Sequence, residues 1–312
     1  MTVISCYNVS KAYGDHWAVQ NLDFHVPAGS IFALVGPNGA GKSSTIKMLA
    51  TLLEPTAGRI LIDGFDAQLE PEAVRQRVGY LPDHFNLYED MTTSRCLDFY
   101  GSCFGMRRSD RKKRIGELLD LLDLSTKTNA RIKELSRGMK QRVGIARALM
   151  HSPPVLLLDE PASGLDPAAR LKLRKVMVRL KEEMGMTVLV SSHVLMELST
   201  FCDSMAIMQK GKVLEMGPLE EIQARLGGGR IPCTLKVLSG IETAWKVLSD
   251  MPQVAGLERQ DNTLRFAHSA QPEAAAELLE VLIRAGVRVV SLERGESDME
   301  WVYASISTDE VS

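Results

Sequence analysis

The chain has no apolar run approaching the roughly 20 residues that a membrane-spanning helix needs, so a role at a membrane has to pass through a partner. It also lacks a charge excess. Thirty-seven Lys and Arg face 39 Asp and Glu, a net charge of -2, which argues against broad nucleic-acid binding with its basic footprint. The cysteines (Cys6, Cys96, Cys103, Cys202, Cys233) are odd in number, widely spaced and without a CxxC pair. That spacing excludes a disulfide framework or a zinc site and predicts free thiols in a reducing compartment. The first residues, Met1-Thr2-Val3-Ile4-Ser5, carry neither the charged nor the apolar segment of a signal peptide, and none is expected. No internal repeat and no long heptad run is present. What remains is 312 residues with 45% hydrophobic content, enough for one large domain and a small one.

Up to about Met216, short apolar strands alternate with helical patterns, which predicts an α/β domain with a largely parallel sheet. Strands are expected over residues 3–9, 31–35, 155–158, 187–190 and 205–208. Between about residues 91 and 153 the alternation stops. Helical patterns over 96–104, 111–122 and 136–149 predict a helical subdomain inserted into the α/β core. A helix over 219–226 leads into Gly227-Gly228-Gly229, which reads as a flexible linker covering about 227–230. The domains are thus expected at 1–226 and 231–312. In the second, strands over 234–238, 254–259, 263–267 and 287–292 and helices over 242–248 and 273–284 give the order βαββαβ. That order predicts a small ferredoxin-like α+β domain, with a turn at Asp261-Asn262.

The chemistry concentrates in Gly36-Pro37-Asn38-Gly39-Ala40-Gly41-Lys42-Ser43-Ser44. A buried strand runs into this stretch and a helix leaves it, the setting of a phosphate-binding loop. Glycines let the backbone turn and aim its N–H groups at an anion, and the helix N-terminus adds partial positive charge. Lys42 suits the β- and γ-phosphates and the Ser43 hydroxyl suits Mg²⁺. A nucleoside triphosphate is the expected ligand. The apolar strand 155–158 ends in Asp159-Glu160, at the strand end where α/β proteins place their ligands. Strand alternation sends the two carboxylates opposite ways, one toward Mg²⁺ and one toward an attacking water.

Further motifs carry a specific resemblance. Leu135-Ser136-Arg137-Gly138-Met139-Lys140-Gln141-Arg142 resembles the signature of the ATP-binding cassette (ABC) family in its LSRGM form. Ser163-Gly164-Leu165-Asp166 resembles the family's D-loop, Ser191-Ser192-His193 its switch histidine, and Tyr13 the aromatic on which adenine stacks, with Trp17 as the competing aromatic. The likeness covers residues 1 to about 226. It implies a P-loop NTPase (RecA-like) core and an ATP-hydrolysing subunit of a transporter, most similar to subunits that pair with separate ABC-2-type export permeases. It further implies a head-to-tail dimer of two copies with ATP sandwiched between them, at the cytoplasmic face of the cell membrane. By position, Glu160 is the general base, His193 contacts the γ-phosphate, and Ser136 and Gly138 meet the neighbour's nucleotide. Asp166 links the two sites, while Ser43, Asp159 and Asp83 serve the metal.

Three features depart from the common pattern. Asp83 stands where the family usually has glutamine; it either ligates Mg²⁺ or is a loop acid. Arg137 and Met139 replace glycine and glutamine, and Arg137 either binds the opposite nucleotide or lies on the outer face of its helix. The basic run of Arg107, Arg108, Arg111, Lys112, Lys113 and Arg114 is either a solvated face or an attractor of anionic lipid or an acidic permease loop. The resemblance places the permease's coupling helix against residues 86–92. A soluble ATP switch and a non-catalytic assembly subunit are the competing functions. The single cassette weighs against the first, the intact Glu160 and His193 against the second. Met299-Glu300-Trp301-Val302-Tyr303 is read as packing, docking helix or dimer contact.

Overall fold

The computed structural model describes residues 2–194, 198, 200–222, 230–269 and 271–294. The glycine run 227–229 and the segment 299–303 lie outside the described residues. The chain divides into two compact units, Met1–Pro218 and Leu219–Ser312.

The first unit holds two sheets. Strands β1 (Thr2–Tyr13), β2 (His16–Pro27), β4 (Ala57–Ile62) and β5 (Phe65–Asp66) form an antiparallel sheet in the order β2-β1-β4-β5. This sheet was not anticipated beyond a strand at 3–9. Its largest partner, β2, buries Leu22, Phe24 and Val26 on one face and leaves the residues between them exposed, the period-2 pattern of a half-buried strand. The other strands are β3 (Ile31–Val35), β6 (Val78–Leu81), β7 (Val155–Leu158), β8 (Thr187–Ser192), β9 (Ser204–Gln209) and β10 (Lys212–Pro218). They form a six-stranded sheet in the order β10-β9-β3-β8-β7-β6. All pairings are parallel except β10 with β9. Strands β3, β7 and β8 are buried along their whole length, as expected when both faces of a sheet are covered.

Helix α1 (Lys42–Leu49) lies in one core with both sheets. Its Ile46, Met48 and Leu49 are buried in a cluster with Val9, Phe24, Phe32 and Leu34. The Phe24 and Phe32 rings stack across the sheets at 5.5 Å between centroids. Fully burying such a side chain contributes about 1.5–3 kcal/mol, so α1 and the loop before it are anchored from two sides. A short helix α2 (Pro71–Arg75) precedes β6.

The expected helical insert is present as α3 (Thr93–Cys103), α4 (Arg108–Leu121) and α5 (Arg137–Ala148). Helix α3 starts before the expected residue 96 because Thr92 caps it, accepting a hydrogen bond from the Arg95 N–H at 3.4 Å. The basic run is partly spent on structure. Arg111 pairs with Asp98 of α3 at 2.6 Å, and Arg114 donates to the Leu149 carbonyl at 3.0 Å, fastening α4 to both neighbours. Helix α6 (Pro167–Met184) follows, capped by Asp166, whose carboxylate accepts from the Ala169 N–H at 2.8 Å.

In the second unit, residues 219–222 are helical. The strands β11 (Arg230–Ser239), β12 (Ala255–Gln260), β13 (Thr263–Ser269) and β14 (Arg288–Arg294) alternate with helices α7 (Ile241–Ser249) and α8 (Pro272–Arg284). The sheet order is β12-β13-β11-β14 and every pairing is antiparallel. Read from β14, this is the 4-1-3-2 arrangement of the βαββαβ ferredoxin-like fold. Its core joins alternate residues of β11 (Cys233, Leu235, Val237) to the i, i+4 pairs Ala244/Leu248 and Leu278/Leu282 of the helices. The hairpin β12–β13 turns at Asp261-Asn262, with Asp261 left-handed at φ 51°.

Candidate active site

The parallel order β3-β8-β7-β6 brings four strand ends to one edge of the sheet, and each ends on residues that the sequence singled out. Strand β3 runs into the loop Gly36 to Ser44, β8 ends at Ser191-Ser192 before His193, β7 precedes Asp159-Glu160, and β6 precedes Pro82-Asp83.

The loop's glycines are required by its surroundings. A Cβ on Gly36 would lie 2.2 Å from the Met208 carbonyl oxygen of β9. Gly41, the N-cap of α1, has φ 103°, and a Cβ there would lie 2.4 Å from the Ala18 carbonyl oxygen. Only a bare backbone fits between β9, β2 and the helix start. Because Ala18 of β2 backs onto Gly41, the β1–β2 hairpin lies beside the loop. Its tip pairs Tyr13 with His16, and both Tyr13 and Trp17 are about half exposed, so either ring is open for stacking. The first-turn N–H groups of α1 have no partner within the helix and provide the donors of an anion site.

Behind the loop, six side chains form two groups, joined through the Glu160 N–H and the Ser191 hydroxyl. Lys42, 5% exposed, donates through Nζ to the carbonyls of Gly36 (2.6 Å) and Pro37 (3.1 Å). The same Nζ lies 3.2 Å from Glu160 Oε1. That oxygen makes no aligned hydrogen bond, so the contact is an ion pair. The other oxygen, Glu160 Oε2, lies 2.8 Å from His193 Nδ1. Asp159 accepts from both the Ser43 hydroxyl (3.0 Å) and the Ser191 hydroxyl (2.8 Å) on one oxygen, Oδ1.

The two carboxylates diverge as anticipated, but the cause is a turn and not strand alternation. Strand β7 ends at Leu158, and Glu160 is left-handed at φ 47°, a conformation unusual for a residue with a side chain. Two hydrogen bonds hold it there. Its N–H donates to Ser191 Oγ at 2.9 Å, and its carbonyl accepts from the Ser163 N–H at 3.1 Å. Ser191 therefore bridges the two acids, a role its sequence position beside His193 did not reveal.

Burial dominates the electrostatics of this edge. It raises the Asp159 carboxyl above the ordinary aspartate range, against the lowering effect of the two hydroxyl bonds, and the charges of Glu160 and Asp83 add to the rise. The phenol of Tyr80, on β6, is pushed up to about 12 by burial and by the charges of Asp159 and Asp83. Among the described residues the Tyr80 hydroxyl has no hydrogen-bond partner. Asp83 itself is partly exposed, with His84 Nε2 at 3.7 Å.

Ser136, Gly138 and Asp166 form a second group. Ser136 is the N-cap of α5 and accepts from the Met139 N–H at 3.3 Å. Gly138 packs so closely on α6 that a Cβ would lie 2.9 Å from Ala169 Cβ. Arg137 is exposed at the start of α5 and makes a contact that neither reading of it included. Its guanidinium folds back onto the D-loop of its own chain and donates to the Ser163 carbonyl at 2.9 Å. An anion loop, a lysine, an acid and histidine in contact, and a hydroxyl paired with a second acid constitute the machinery for hydrolysing a phosphoanhydride.

Comparison with known proteins agrees with this chemistry. The family described as ABC transporter matches residues 19–163. The uncharacterized ABC transporter ATP-binding protein YxlF of Bacillus subtilis (strain 168) is 36% identical over 304 residues, covering 97% of this chain and 99% of that protein. The Nod factor export ATP-binding protein I of Burkholderia orbicola (strain AU 1054) is 39% identical over 225 residues, 70% of this chain and 72% of the relative. Among solved structures, the dimeric post-hydrolysis state of the ATP-binding cassette MJ0796 bound to ADP and Pi superposes with a TM-score of 0.62 at 29% identity. It covers 69% of this chain and 98% of that one. The chain therefore belongs to the ABC transporter family, as an ATP-binding subunit that hydrolyses ATP.

Proposed function

We propose that this subunit drives export through a separate ABC-2-type membrane permease, working at the cytoplasmic face as a head-to-tail pair of copies that clasp two ATP molecules. The observation that carries the catalytic part is Glu160, fixed between Lys42 and His193 at the mouth of the phosphate loop. A triphosphate entering the loop offers Lys42 phosphate oxygens and relieves it of Glu160. The released carboxylate then takes the proton of the water that attacks the terminal phosphorus in line, as the bond from that phosphorus to the β-phosphate oxygen breaks and ADP leaves, and His193, still held by Glu160, orients that water and the γ-phosphate. Losing a general base typically costs ~10²–10⁴-fold in rate.

The oxygen donors fit a divalent cation: the Ser43 hydroxyl converges on the Asp159 carboxylate, a buried acid with raised affinity for a proton. Mg²⁺ would be held by Ser43 and Asp159, with Asp83 beside them, and would supply positive charge to the β- and γ-phosphate oxygens. Ser136 and Gly138, at the exposed start of α5, are offered to the nucleotide of the second copy. Among the described residues no helix is long and apolar enough to cross a membrane, so the transport path is assigned to the permease.

The export reading is supported by the Nod factor export relative and by a second unit of the kind many export subunits carry. Purifying the full chain from membranes together with its bound partner, and sequencing that partner, tests it. An integral membrane permease that stimulates the ATPase supports the proposal; a ribosomal or DNA-bound partner refutes it.

A further inference from the structure

The Arg137 contact joins two parts of the chain that the proposed dimer places against different nucleotides. Arg137 is the first residue of α5, next to Ser136, and its guanidinium donates to the Ser163 carbonyl. The N–H of that same Ser163 donates to the Glu160 carbonyl at 3.1 Å. One residue thus connects the signature helix to the turn that holds the catalytic carboxylate left-handed. The exposed guanidinium lies against Gly164. Gly164 has φ 65°, and a Cβ on it would fall 2.4 Å from Arg137 Cζ. The planar head of the arginine occupies the space that a side chain at 164 would need. Next to Arg137, Gly138 presses on Ala169 in the first turn of α6, so the start of α5 touches both the D-loop and the helix that follows it.

We propose that Arg137 is a positioning residue that ties the signature of one nucleotide site to the general base of the other. It rests on the head-to-tail pairing proposed above. In that assembly the neighbour's nucleotide meets α5 at Ser136, whereas Glu160 serves the nucleotide in the chain's own loop. Movement of the α5 start is passed through the Arg137–Ser163 bond to the turn from Glu160 to Gly164. Occupation of one site therefore sets the geometry of the base in the other. Lysine cannot replace this contact, because an ammonium lacks the flat fork that lies over Gly164.

The test is steady-state ATP hydrolysis by the full-length chain. We expect Arg137→Ala, which keeps a good helix former at that position, to lower kcat by about tenfold, within the loss that slight misplacement of a catalytic group produces. The KM for ATP stays within about twofold, because no ground-state contact with nucleotide is removed. Arg137→Lys recovers little of the loss. A raised KM with unchanged kcat would mean that Arg137 binds nucleotide, and overturns the proposal. So would wild-type kinetics or full rescue by lysine. The pairing itself is checked separately by ATP-dependent dimerisation of Glu160→Gln. A dimer there with unaffected Arg137 variants refutes the tether alone, and no dimer refutes the pairing.

Discussion

Asp159 and Glu160 are adjacent in sequence and opposite in setting. Asp159 is buried and hydrogen-bonded to two hydroxyls, and burial still raises its carboxyl above the ordinary aspartate range. A folded pKa above the unfolded one contributes stability below the unfolded value and loses it as pH rises through the folded value. At neutral pH the ligand-free protein therefore carries an unfavourable buried anion. Asp159→Asn, whose amide oxygen still accepts from Ser43 and Ser191, should raise the ligand-free Tm at pH 7 by roughly 2–4 °C, the shift that about 1 kcal/mol produces in a domain of this size. It should also abolish the extra stabilisation that Mg²⁺ gives in the presence of ATP. Differential scanning fluorimetry with and without Mg²⁺-ATP checks both; a lowered Tm with an intact Mg²⁺ response would contradict this reading. The residue types at this site were legible because their chemistry is written in short motifs. The left-handed turn at Glu160, the bridging by Ser191 and the fold-back of Arg137 were not, since each depends on a partner 26 to 31 residues away.

At the scale of elements, the loop and helix starts carry the site, and each rests on a replaceable device. Gly36→Ala would drive a methyl into the Met208 carbonyl. Relief by shifting β9 or the loop costs about 1–3 kcal/mol, the range of overpacking in a core. Nucleotide binding should fall with it, measurable as lost Tm and lost ATP-analogue affinity; a Tm within 1 °C, a change of only tenths of a kcal/mol, would show that the backbone yields freely. Ser136 and Asp166 are N-caps as well as motif residues. Replacing either by Ala should cost about 1 kcal/mol in urea unfolding from the lost cap alone. A fall in ATPase rate at temperatures where both variants remain folded would report the proposed nucleotide role beyond capping.

The three inserted helices were legible from period-3.6 patterning, and the fully buried strands β3, β7 and β8 from their continuous apolar runs. The antiparallel sheet was not. The alternation of Leu22, Phe24 and Val26 marks a strand, but the pairing of β1 with β4 joins residues some fifty positions apart, which no local pattern encodes. In the second unit only the β12–β13 hairpin is local, and β11 pairs with β13 and β14 across the intervening helices; that arrangement was legible only from the βαββαβ order of elements.

For the whole molecule, the two units answer different questions. The first contains every residue of the proposed reaction, yet its loop and its signature form separate groups within one chain, and in the proposed pairing each completes a site with a second copy. The second unit shares the whole-length likeness to YxlF and holds none of the residues proposed for the reaction. The account stands or falls on pairing around ATP with Glu160 as the base. The most direct measurement is the solution mass of Glu160→Gln, by light scattering after size exclusion, with and without Mg²⁺-ATP. A shift from the 34.4 kDa chain to twice that mass on adding ATP, with hydrolysis reduced at least about a hundredfold, is the predicted result. A variant that stays at the single-chain mass with ATP bound, or that turns ATP over at the native rate, would contradict it.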